Sequence, residues 1–226
     1  MQGVELRSVQ KGIDMEKIRV KFTKMGDVKY IGHLDVLALF DRATRRAGIP
    51  MAFSEGFNPR PKLSFAHPLA VGIESNCEYM EMELTREVNL SVVKEKLNAI
   101  LPEGVEIIEV VKSPSNKAIM ALVTSAEYII NIESKINNKE KIEKILNQEE
   151  ILIEKMGKNK GKKVIKTMDI KPLIQEYEIS DDGMAMKVRL VTGSAENLRP
   201  DILMDEIAKK IEIDDYRIIR TNLEIQ

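Results

Sequence analysis

Apolar and polar positions alternate over Ile18-Arg-Val-Lys-Phe-Thr-Lys24, the period-2 pattern of a strand with one buried face. After Gly32 the period changes. Val36, Phe40, Ala43 and Ala47 recur at helical spacing, which predicts a helix over 33–47, and Gly48-Ile49-Pro50 supplies its stop. Residues 51–54 suit a short strand. Residues 55–61 hold Gly56, Asn58, Pro59 and Pro61 and read as a loop, and Pro68 argues against a central strand over 62–72. Alternation returns over 78–84, with Met80, Met82 and Leu84 on one face and Tyr79, Glu81 and Glu83 on the other. Asn89 is placed to cap a helix that buries Leu90, Val93, Leu97 and Leu101, Pro102-Glu-Gly104 ends it, and 105–111 is a strand. The order β-α-β-β-α-β is that of a ferredoxin-like unit.

Past a link at 113–124 a similar order follows, less regularly. Strands are expected at 128–133, 151–156 and 184–192, helices at 139–148 and from Pro200 to Ile211, and a last strand at 216–225. A Lys/Gly-rich turn lies at 157–163, and 163–168 and 177–179 extend the sheet. The expectation is an α+β chain of two tandem ferredoxin-like (βαββαβ) modules, 15–112 and 125–226, behind an N-terminal extension at 1–14.

Composition narrows the chemistry. Of 226 residues 43% are apolar but only 4% aromatic, so the core is built from Ile, Leu, Val and Met. Cys77 is the single cysteine, which excludes an internal disulfide and a cluster or zinc site held by several thiolates, and suits a reducing compartment. No apolar run approaches the roughly 18–20 residues of a membrane span, and 1–14 has no signal-peptide core; the expected location is the cytoplasm, with no membrane partner. The net charge of −1 hides two basic stretches. Nine basic residues face four acids from Arg19 to His67, and seven Lys face two acids from Glu154 to Lys171. Basic patches on a neutral chain point to polyanions.

Five features could carry function. At about 100° per residue, Arg42, Arg45 and Arg46 project opposite the core face of the first helix, suited to phosphate contact; as a solvated face they also favour the helix C-terminus. On the open sheet face, Arg19 and Lys21 meet Glu81 and Glu83 on a neighbouring strand, which cancels the field a phosphate needs. His33 at a helix start and His67 in Ser64-Phe-Ala-His-Pro68 could act as an acid–base pair if the loop folds back, although lone histidines are usually structural. Cys77 has no flanking base and reads as a small buried residue. The loop Ser54-Glu-Gly-Phe-Asn-Pro-Arg-Pro-Lys62 is stiffened by two prolines and offers Phe57, Asn58, Arg60 and Lys62 as ligand-facing tips.

Four runs carry a family resemblance: Lys29-Tyr-Ile-Gly-His-Leu-Asp35, Arg42-Ala-Thr-Arg-Arg-Ala-Gly-Ile-Pro50, Ser54-Glu-Gly-Phe-Asn-Pro59 and Ser64-Phe-Ala-His-Pro-Leu-Ala-Val-Gly72. Together they resemble the radical-SAM-linked family, a domain found alone or joined to the C-terminus of cobalamin-binding radical-SAM proteins. The resemblance implies a bacterial cytoplasmic protein that works with a radical-SAM partner, and it supplies no catalytic residues and no cofactor. Lacking the cysteine triplet, this chain would be the accessory half. A fainter similarity, resting on His33, is to CRISPR RNA-processing endoribonucleases. Three readings follow: a module that binds structured RNA (tRNA or rRNA) for modification through Arg42, Arg45, Arg46, Arg60 and Lys62; a metal-independent endoribonuclease using His33 and His67; or a protein-docking module.

Overall fold

The computed structural model describes residues 16–159 and 162–226, with no side chains described at 157–164. The extension 1–14 and the side chains of the turn at 157–163 therefore lie outside the described residues.

The first half runs β1 (Glu16–Lys24), α1 (His33–Arg46), β2 (Leu63–Phe65), β3 (Glu74–Leu84), α2 (Leu90–Asn98) and β4 (Ile107–Lys112). A 3-10 turn, Gly26–Tyr30, leads into α1, and the carboxylate of Asp35 accepts the N–H of Gly32 at the helix start. The helix ends as the sequence indicates. Gly48 takes φ +65°, and the N–H groups of Gly48 and Ile49 return to the carbonyls of Arg45 and Thr44, which closes the last turn. β1 pairs antiparallel with β3 on one side and β4 on the other, and β2 pairs antiparallel with β3.

The second half runs β5 (Val123–Glu133), α3 (Lys139–Leu146), β6 (Leu152–Asn159), β7 (Lys162–Asp169), β8 (Ile174–Ile179), β9 (Ala185–Val191), α4 (Pro200–Ala208) and β10 (Asp215–Ile225). Here β5 lies between β10 and β9, and β8 flanks β9, all antiparallel. The order β10-β5-β9-β8 repeats the order β4-β1-β3-β2 of the first half.

Three expectations change. The second strand is not at 51–54: Met51 and Phe53 make only isolated bridges, to Leu84 and Pro61, and Pro61 has no N–H with which to extend the pairing. Residues 162–169 do not extend the main sheet. They pair along their whole length with β6 as a separate hairpin, which packs on the body through Ile153 and Met168. Nor are the halves separate sheets. β3 starts at Glu74, earlier than the alternation suggests, and its first residues pair in parallel with β10, Ile219 opposite Glu74 and Arg220 opposite Ser75, so eight strands form one sheet.

Two cores serve this sheet. α1 and α2 cover Ile18, Val20, Phe22, Met80, Met82 and Leu84. The second core lies between α3, α4 and the strands of the second half, and it takes in Ala66, Leu69, Ile73 and Cys77 from the first. β3 is thus buried on both faces, which explains a strand whose supposed solvent side is partly closed. Arg19 and Lys17 both pair with Glu81, Ser113 of the link donates to the same carboxylate at 2.7 Å, and Lys21 stacks on Tyr79. Burial draws the Glu81 carboxyl upward, but Lys17, Ser113 and Arg19 outweigh it and hold it below the usual carboxylate range.

Candidate functional site

The loop after α1 is pinned at its base. Ser54 and Arg60 exchange hydrogen bonds, Ser54 N–H to the Arg60 carbonyl at 2.8 Å and Arg60 N–H to Ser54 Oγ at 3.0 Å, and the Lys62 N–H reaches the Ala52 carbonyl at 2.9 Å. Gly56 turns the tip with φ +112°. The loop lies beside the C-terminal half of α1, where the Arg45 guanidinium stacks on Phe53 at 5.0 Å. Arg42, Arg45, Arg46, Phe57, Asn58 and Arg60 are all exposed, and Phe57 touches water over its whole side chain.

The cations differ in availability. Asp41 holds Arg45 at 2.7 Å and Glu83 holds Lys62 at 2.8 Å, so each of these cations has a neighbouring carboxylate that partly compensates it. Among the described residues, no carboxylate comes within ion-pair distance of Arg42, Arg46 or Arg60. Of the five predicted cations, Arg42, Arg46 and Arg60 are thus exposed and without an ion-pair partner among the described residues.

The histidines do not share a site. His33 packs edge-on against Phe65 at 5.1 Å and lines a void of about 20 Å³ with Lys24, Phe65 and Glu78. His67 lines a different cavity of about 230 Å³. Pro68 and Leu69 contribute to both linings. Burial, aided by the charge of Arg220, pushes the His67 imidazole down to about 4. Among the described residues, no group of three or more His, Cys, Asp or Glu is placed to hold a metal ion. Cys77 is buried at the start of β3, and burial with the nearby Glu78 charge pushes its thiol up to about 11, so it stays protonated and inert at neutral pH.

The His67 shift has a stability consequence. The unfolded chain takes up this proton as pH falls below about 6.5, and the folded chain does so only near 4. Between those values the unfolded state holds more protons, so stability is complete above about pH 6.5 and declines as pH falls towards 4. The loss is at most about 3 kcal/mol at roughly 1.4 kcal/mol per unit, less where water reaches the ring. Between about pH 7 and 4 the urea midpoint of the parent should fall further than that of His67→Gln, which lacks this titration. Parallel curves would contradict this origin.

Sequence reasoning missed a cluster at the seam. Arg220 of β10 is 1% exposed. Its Nη1 donates to Glu78 at 2.9 Å and to the His67 carbonyl at 3.1 Å, and its guanidinium lies 5.7 Å from the Tyr128 ring centre. Lys24 is also buried, with Nζ donating to the carbonyls of Ile31 and Lys29, and burial holds its ammonium below the usual lysine range. Arg217 pairs with Glu74 across the same seam. A signal did exist. Lys24 follows Ile18, Val20 and Phe22 in phase, Glu78 precedes Met80 and Met82 in phase, and Arg220 is in phase with Ile218. A charge at a core-face position requires a buried partner.

The chain is a mixed α+β protein built on one large mixed sheet. The chain belongs to the family described as "uncharacterized protein conserved in bacteria (DUF2344)", whose pattern matches residues 17–200. No curated protein matches its sequence significantly. Among solved structures it is similar to a chain in a crystal structure of a Cbf5–Nop10–Gar1 complex, at 11% identity and a TM-score of 0.47; the match covers 91% of this chain and 48% of that one. Among the described residues, no helix is long and apolar enough to cross a membrane.

Proposed function

We propose that this is a cytoplasmic RNA-binding accessory of a radical-SAM system, holding structured RNA for modification, and that its halves are two ferredoxin-like units fused through β3 and β10. The repeated strand order supports the fold reading. The radical-SAM link rests on the four sequence runs quoted above. Two of them, 42–50 and 54–59, form the basic face, and a third, 64–72, runs along the seam.

The observation that carries the RNA reading is Phe57. A Phe left wholly in water forgoes about 1.5–3 kcal/mol of burial, yet here a proline-stiffened, hydrogen-bonded loop presents it, on a segment that also carries the exposed Arg60 and follows the helix that carries the exposed Arg42 and Arg46. An aromatic platform flanked by unpaired cations is the arrangement that stacks unpaired bases and neutralises their phosphates. The acid–base reading of His33 and His67 gains nothing from the geometry, because the rings line separate cavities.

Binding of a labelled stem-loop RNA across a salt series tests the proposal. Phe57→Ala should weaken binding by about 1–3 kcal/mol, roughly 5- to 150-fold, with the salt slope unchanged. Replacing Arg42, Arg46 and Arg60 together by Ala should flatten the log–log salt slope by about 2, at roughly 0.7 per phosphate contact. Absence of binding at low salt would sink the reading. Co-purification of a radical-SAM protein, with and without RNase, would separate RNA-dependent association from direct docking.

A further inference from the structure

We propose that the hairpin β6–β7 is a basic arm that holds the phosphate backbone of the bound RNA without reading its sequence; this rests on the RNA reading and adds a contact outside the face of α1. The two strands pair along their whole length as a two-stranded sheet of their own. Eight residues per strand, at about 3.4 Å each, make a ribbon roughly 27 Å long. Ile153 and Met168 pack its base on the second core. Over 155–166 the sequence holds six Lys and no Asp, Glu, Arg or aromatic residue. That composition selects the partner. Protein–protein interfaces are enriched in Arg and aromatics and depleted in Lys. Contacts that follow a phosphate backbone without specifying bases need only point charges, which Lys supplies.

The strand register is the second observation. Lys155 stands directly opposite Lys166. Both side chains are exposed, and among the described residues no carboxylate comes within ion-pair distance of either. The register repeats the arrangement farther along, with Lys158 opposite Lys163. Like charges directly opposite one another destabilise a strand pair, and a two-stranded hairpin is marginal in water to begin with. A single acid at either place would relieve the repulsion; an RNA backbone laid along the ribbon supplies the missing negative charge instead. Lys155 does share a cleft with Asp205 and Glu206 of α4, but these acids are engaged elsewhere. Lys209 and Lys210 hold Glu206, and Asp205 accepts the Tyr216 hydroxyl. The other face of the ribbon carries an exposed apolar pair, Met156 opposite Ile165. That pair suits sugar and base edges or an apolar protein groove equally, so the lysine-only charge decides between RNA and protein.

The test is binding of the full chain to two labelled stem-loop RNAs of unrelated sequence across a salt series, with labelled polyglutamate in parallel. Lys155→Ala/Lys166→Ala should flatten the log–log salt slope by about 1.4–1.8, at roughly 0.7–0.9 per phosphate contact, and equally for both RNAs. Lys166→Glu sets a carboxylate opposite Lys155. It should therefore weaken RNA binding more than Lys166→Ala does, while the thermal midpoint of the free protein stays level or rises. Unchanged slopes for Lys155→Ala/Lys166→Ala, with Phe57→Ala still weakening binding, would overturn the arm and leave the RNA reading standing. No RNA binding by the parent at low salt would overturn both. A joint fall of midpoint and binding in Lys166→Glu would make the lysines structural, and a loss confined to one RNA would mean that the arm reads sequence; either overturns the assignment. Polyglutamate bound as tightly as RNA would overturn it in favour of an acidic protein partner.

Discussion

Replacing Arg220 by Ala should lower stability by about 3–5 kcal/mol, the cost of breaking a buried ion pair by removing one partner. The side chain is almost wholly buried, and its removal leaves Glu78, itself only 6% exposed, without its cation. Burial opposes the charge on Arg220, but Glu78 and Tyr128 outweigh burial and keep the guanidinium ionised. The deletion also strips the donor from the His67 carbonyl, which anchors the 64–72 run to β10. The cost should fall on the junction of the halves, because β10 meets β3 through only two residue pairs and the side chains of the seam supply much of the remaining hold. Urea denaturation gives the total. The double variant Glu78→Gln/Arg220→Met should lose less than Arg220→Ala, because it leaves no buried charge unpaired. A loss below about 1 kcal/mol for Arg220→Ala would mean that water screens the pair as it does a surface one.

Replacing Phe40 by Ala should cost a similar amount, about 3–5 kcal/mol, through a cavity in the first core. Phe40 is fully buried. Its ring meets Phe22 edge-on at 4.9 Å and lies 6.2 Å from Phe65. In a chain with five phenylalanines, three form this one cluster. Edge-to-face pairs add about 0.5–1.5 kcal/mol beyond their buried area, so Phe40→Leu should still lose about 1 kcal/mol although it leaves a smaller hole. Because Phe65 supports His33, the His33 ring resonances should shift in both variants. Equal stability of parent and Phe40→Ala, measured by the same urea series, would mean that the site collapses to fill the space.

Most of the first half was legible. The periods of 2 and 3.6 placed β1 and α1 closely, and the Gly48-Ile49-Pro50 stop formed the turn expected of it, because these signals depend on neighbours three or four residues apart. The exposure of Arg42, Arg45 and Arg46 followed from the helical angle alone. The prolines of the 54–62 loop forecast a stiff connection, and its gathering with α1 into one face is visible in the stack of Arg45 on Phe53. The sequence could not tell which of the five cations stand without a carboxylate partner. Asp41 lies one helical turn from Arg45 and was in view, but the pairing of Lys62 with Glu83 spans a strand register fixed elsewhere in the chain.

The second half was read less well for a similar reason. Residues 162–169 hold only a short apolar pair and no clean alternation, and only long-range pairing decides which sheet receives them. Glu74, Ser75 and Asn76 carry no apolar signal, so the part of β3 that joins the halves did not look like strand at all. By itself the sequence determined the α+β class, the inert cysteine and the basic outer face of α1, all of which follow from local periodicity and composition. The tertiary structure alone decided that the two halves share one sheet, that the histidines line separate cavities, and that Lys24, Glu78 and Arg220 meet in the interior. The physical reason is that a buried charge is stable only beside partners that the chain brings in from far away, Glu78 and Arg220 being 142 residues apart, and local patterns carry no record of that meeting beyond a charge standing where an apolar residue was expected.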